Sequence, residues 1–104
     1  MLSLALARRG VRVDLAEIRE DWRGVGHGIT VQGNALAALA KVGVLDALLA
    51  RGVPFDTLRM RRADGTLIAE LPTPRTGGEA LPATMGALRS DIQDVLCDRV
   101  YAAG

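Results

Sequence analysis

The opening of the chain, Met1 to Glu17, is its most constraining stretch. Leu2 to Arg9 is a run of good helix formers interrupted only by Ser3, and Gly10 stands where a left-handed C-terminal cap belongs. Val11, Val13 and Leu15 then alternate with Arg12, Asp14 and Ala16 before Glu17. That period of two predicts a strand with one apolar face. A helix this short is marginal alone because nucleation is costly. It must therefore pack on something, and a mixed α/β architecture follows. No N-cap precedes the helix, so Met1 opens inside the helical pattern.

The rest of the chain repeats this mixture. The loop Arg19 to Gly28 places Gly24, Gly26 and Gly28 at alternate positions, allowing close backbone approach. Asn34 predicts the N-cap of a helix carrying Leu36, Leu39 and Val42, ending near Gly43. Leu45 to Ala50 adds a short helical turn closed by Gly52, with Pro54 at the exit. Thr57 to Arg62 and Thr66 to Leu71 flank Asp64-Gly65, a two-residue hairpin signal. Pro72 to Gly78 reads as a loop and Pro82 to Leu88 as a short strand. Ser90 and Gln93 match a capping box, opening a helix with Ile92, Val95, Leu96 and Val100 on one face. No linker interrupts this order, so residues 1–104 read as one domain.

Composition narrows the function classes. Thirteen basic residues face 12 acidic ones, a formal charge of +1, which argues against a nucleic-acid or membrane coat. Aromatics at 3% are too few for the stacking platforms that hold single strands. The single Cys97 rules out an intramolecular disulfide framework and a Cys-rich zinc site. Arg8 and Arg9 end the first apolar run before it could span a bilayer, and charges after that run do not make a signal peptide. The expectation is a soluble, cytoplasmic domain whose partner is a small molecule.

The chemistry centres on Glu17. An acid at the end of a strand that follows a glycine-capped helix accepts hydrogen bonds from ribose hydroxyls in dinucleotide-binding units. A solvated strand-end carboxylate is the plainer alternative. The glycine-rich turn of such units is absent: no G-x-G-x-x-G occurs, and Gly24, Gly26 and Gly28 follow the candidate strand instead of preceding a helix.

The stretch LALARRGVRVDLAEIRE, with GHGI and NALAALAKVG after it, resembles the FAD-binding domain of the class A flavoprotein monooxygenases, the para-hydroxybenzoate hydroxylase-like group. The matching residues are Gly10, Glu17, Gly26 to Ile29, Asn34 to Leu36, Leu39 and Gly43. Downstream, Arg89, Ile92 and Leu96 are similar to that group's R-x-x-L-x-x-x-L helix start. The resemblance implies a partial Rossmann-like FAD-binding fold with an added β-hairpin. It also implies FAD as cofactor, NADH or NADPH as reductant, and oxygen transfer to a small organic, often aromatic, substrate. Glu17 would then bind the adenosine ribose and Arg19 would lie beside the adenine. Gly26, His27, Gly28 and Ile29 would follow the flavin half, and Arg89 would reach the ribityl and pyrophosphate. Since the cofactor carries the hard chemistry, the resemblance requires no catalytic side chain or metal ligand here.

His27 departs from the group, which more often has a small residue there. Cys97 is expected in helix packing, Gln93 in the capping box, and Arg59, Arg61 and Arg62 on a solvated strand face. The resemblance also implies a strand and glycine turn before Met1 and a substrate domain after Gly104. The alternative expectation is a non-catalytic truncated remnant, or interaction module, with no cofactor bound.

Overall fold

The computed structural model describes residues 1–21 and 27–103. The order is α1 (Leu2–Ala7), β1 (Gly28–Gln32), α2 (Gly33–Lys41), α3 (Leu45–Leu49), β2 (Val53–Phe55), β3 (Thr57–Arg61), β4 (Leu67–Pro72), β5 (Thr84–Leu88) and α4 (Arg89–Ala102). The predicted mixed α/β class is what forms. Among the described residues, no helix is long and apolar enough to cross a membrane.

Helix α1 ends as its glycine demands. Gly10 has φ +75°, its N–H donates to the Ala7 carbonyl at 3.0 Å, and the Val11 N–H reaches the Leu6 carbonyl at 3.1 Å. Both bonds satisfy carbonyls that a helix end would otherwise orphan. The α2 end is closed similarly and then sealed from outside, where Arg8 Nη1 donates to the Lys41 carbonyl at 3.1 Å. A cation at a helix C-terminus also meets the negative end of the helix dipole.

Three strands form one sheet in the order β1-β5-β2, both outer strands antiparallel to β5. Val31 and Met85 are register partners on the face that turns inward. They join Leu36, Leu39, Val44 and Leu48 of the α2–α3 region, Leu4 of α1 and Val95 of α4 in one core. Pro54 is tolerated in β2 because an edge strand can forgo one ladder donor.

The hairpin β3–β4 stands as a second, two-stranded sheet. Its turn is longer than the two-residue form expected at Asp64-Gly65. The Arg62 N–H donates to Thr66 and the Gly65 N–H to Arg62, with φ +90° at Gly65 and no positive φ at Asp64. A two-residue type I′ turn needs positive φ at both central residues, so it is excluded.

Three local expectations fail for identifiable reasons. Residues 11–17 make no ladder with any described strand, and Val11 and Leu15 stay 47% and 50% exposed. Alternation assigns side chains to faces but supplies no partner for the backbone. Asn34 does not cap α2, which begins at Gly33; instead the Asn34 N–H donates to Thr76 Oγ1 at 3.0 Å. The capping box at Ser90 does not form because α4 starts two residues earlier, with Leu88 at the N-cap, and Gln93 Nε2 instead points to Cys97 Sγ at 3.5 Å.

Candidate flavin-binding site

The antiparallel register places Gly28 opposite Leu88, so the first residue of β1 and the last of β5 share one end of the sheet. Just beyond that end, the Arg89 N–H donates to the His27 carbonyl at 2.9 Å. This bond fixes the start of α4 against the residue that precedes β1. It brings His27, Gly28, Ile29 and Arg89 together, four of the residues that the sequence singled out.

The corner suits an anion. A Cβ built on Gly28 would meet nothing within 4 Å, so its backbone faces open space. The Arg89 side chain is exposed and makes no hydrogen bond or ion pair with the described residues. Among the described residues no side chain caps α4, which leaves first-turn N–H groups and the positive end of a 14-residue helix beside that guanidinium. Asp91 lies in the same first turn, but its carboxylate faces Arg51 at 3.7 Å. An always-charged planar donor fork next to a helix start is a fitting receptor for anionic oxygens.

Glu17 and Arg19 make a different local arrangement. The Arg19 N–H donates to Glu17 Oε1 at 3.0 Å, closing a small exposed turn that holds the carboxylate in place. A carboxylate held this way retains acceptor capacity for further donors. Gly26 lies outside the described residues. Among those described, no group of His, Cys, Asp and Glu could hold a metal ion.

The other candidates take structural roles. Arg59 Nε donates to Glu70 Oε2 at 2.7 Å across the hairpin, and this bond and the facing charge raise the guanidinium pKa. Arg61 Nη1 bonds the Gly65 carbonyl at 2.9 Å. Cys97 is half-buried on α4. Sequence reasoning missed Thr76, whose role depends on a partner 42 residues away and leaves no local signal.

The chain is a homologue of the class A flavoprotein monooxygenases and shares their fold over nearly its whole length. It is 36% identical over 74 residues to the 2-heptyl-3-hydroxy-4(1H)-quinolone synthase of Pseudomonas aeruginosa, a match covering 67% of this chain and 19% of that enzyme. A Rhodococcus erythropolis protein carrying the same synthase name is 38% identical over 103 residues, covering 98% of this chain and 26% of the relative. The tetrameric form of 2-methyl-3-hydroxypyridine-5-carboxylic acid oxygenase superposes with a TM-score of 0.81 at 26% identity, covering 98% of this chain and 26% of that one. The chain thus spans between 19% and 26% of the length of these relatives. No protein-family model matches it.

Proposed function

We propose that residues 1–104 form a cytoplasmic FAD-binding segment of a flavin-dependent monooxygenase. With NADH or NADPH and molecular oxygen, that enzyme would oxygenate a small aromatic substrate. The observation that carries this reading is the convergence of the His27 carbonyl, the open backbone of Gly28 and the Arg89 guanidinium, which among the described residues is unpaired, at the start of α4. The relatives' names support an aromatic substrate, since they describe a quinolone and a hydroxypyridine acid.

In this reading the chain binds and orients. Arg89 clamps phosphate or ribityl oxygens with two parallel N–H donors. Gly26, Gly28 and Ile29 offer backbone to the flavin half, where a side chain would hold the ring away. His27 contributes through its main chain, which is already committed to Arg89. Glu17 accepts from ribose hydroxyls, and Arg19 lies at the adenine end. Bound FAD supplies the electron transfer and oxygen activation, so no nucleophile or general base is required of these residues.

Titrating the purified chain with FAD, followed by flavin fluorescence and backbone NMR, tests the reading. Saturable binding that shifts the Gly28, Ile29 and Arg89 amides is the expected result. Absence of binding overturns it and supports a second reading, in which this chain is a non-catalytic module. The stretch 11–17, which joins no ladder among the described residues, favours that alternative, because no sheet neighbour there fixes its backbone.

A further inference from the structure

The stretch 11–17 is anchored at both ends and bare between them. The Val11 N–H donates to the Leu6 carbonyl at 3.1 Å, and Glu17 Oε1 accepts the Arg19 N–H at 3.0 Å. Among the described residues, the backbone groups of Arg12 to Ala16 meet no hydrogen-bonding partner, and Arg12 and Asp14 form no ion pair. Both of these charged residues are exposed. Val11, Val13 and Leu15 border a groove of about 360 Å³ together with Leu4 of α1 and Val100 of α4. Unpaired backbone with this alternation is a template for another strand.

We propose that this stretch is a dimerisation strand, pairing antiparallel with the same stretch of a second copy, with Val13 on the two-fold axis. The sequence is self-complementary in that register. Arg12 stands opposite the second copy's Asp14, and Asp14 opposite its Arg12, while Val11 faces Leu15 on the apolar side. Within 11–17 no other antiparallel register sets both charges against their opposites. An axis through Arg12 or Asp14 puts like charges directly opposite, as does a parallel in-register pair. An axis between two residues sets the polar face against the apolar one.

The committed Val11 N–H also fixes the hydrogen-bond phase. Antiparallel pairs alternate between those that exchange both backbone bonds and those that exchange none. If Val13 bonded its own counterpart, Val11 and Leu15 would have to exchange bonds too, and the Val11 N–H is already taken. The other phase places the bonds at Arg12 and Asp14, whose N–H groups meet no partner among the described residues. It adds a bond from the Ala16 N–H to the second copy's Gly10 carbonyl. Val13 then meets its counterpart at the closer, non-bonded spacing of about 4.5 Å between Cα atoms. This pairing rests on neither the flavin reading nor its alternative.

Charge exchange tests the pairing. Sedimentation velocity of the chain over a concentration series should show a monomer–dimer equilibrium. Arg12→Asp and Asp14→Arg should each weaken self-association roughly tenfold or more, because each turns both attractive pairs into repulsive ones. An equimolar mixture of the two variants should recover the dimer, since each supplies the charges the other needs, and recovery also shows that both variants fold. The chain carrying both substitutions should pair with itself and not with the parent. In the dimer, hydrogen exchange should slow at the Arg12, Asp14 and Ala16 amides and stay fast at Val13 and Leu15. A monomer at every concentration, a dimer that either single variant leaves intact, no recovery in the mixture, or protection at Val13 and Leu15 instead overturns the proposal.

Discussion

Gly33 and Gly77 meet backbone to backbone: a Cβ on Gly33 would come within 2.7 Å of the Gly77 nitrogen, and one on Gly77 would run into the Gly33 carbonyl. The contact closes the loop 73–78 onto the first turn of α2. Gly77→Ala must push main chain apart, a cost of about 1–3 kcal/mol by analogy with overpacked sites. Urea denaturation should show that loss, whereas Gly28→Ala, which meets nothing within 4 Å, should leave stability unchanged and weaken FAD instead. Equal destabilisation by the two substitutions would remove the distinction between a packing glycine and a ligand-facing one.

The cap of α2 comes from Thr76, and its loss should be measurable. Thr76→Ala is expected to cost about 1 kcal/mol, the usual value for a lost N-terminal cap. Asn34→Ala should cost much less, because its side chain makes no capping bond. Thermal unfolding of both variants decides the point, and a larger loss in Asn34→Ala would restore the local cap that the sequence suggested.

That misassignment shows where local pattern stops being informative. Gly10, the hairpin about Asp64-Gly65 (though not its turn type) and the α4 apolar face were readable because each is decided by residues within one or two turns. Strand β1 was hidden because Gly28 to Gln32 sits between a glycine loop and a helix with no connecting residues. The cap at Thr76 and the His27–Arg89 bond are decided by distant partners, which no spacing rule reports. The stretch 11–17 has the right alternation, yet a ladder depends on a neighbour and not on the strand itself. Of the candidate site, physics in the sequence reached only Glu17. His27 to Ile29 and Arg89 were legible through family likeness alone.

Arg89 offers a charge test. Charge-assisted bonds to an anion are worth about 1.5–3 kcal/mol, so Arg89→Ala should weaken FAD roughly 10- to 100-fold. Arg89→Lys should recover only part, because a point charge cannot form the bidentate pair. The side chain is exposed and unpaired among the described residues, so the unfolding midpoint should hold still. Unchanged FAD affinity in Arg89→Ala, measured by fluorescence titration, would remove this residue from the site.

The hairpin turn should respond to acid. Asp64 Oδ1 accepts the Thr66 N–H at 2.9 Å, and this bond holds the carboxyl below its ordinary pKa. A group whose pKa is depressed by folding contributes stability above its unfolded value, near about pH 3.9. The contribution is lost as pH falls through the lower folded value. The Gly65 and Thr66 amide signals should therefore broaden in acid in the parent chain and stay flat in Asp64→Asn, which keeps an acceptor but cannot titrate. Identical acid profiles in the two chains would show that another group controls the turn.

Met85 is wholly buried, and its sulfur presses on Gly52, where a Cβ would come within 2.6 Å of Sδ. Met1 and Met60, by contrast, are 43% and 47% exposed. The three thioethers therefore form a graded set of oxidation reporters inside one short chain. Peroxide reaches the outer two in the native state, while sulfoxide at Met85 requires the sheet and helices to part. The rate of that one modification is a clock for how often the core opens.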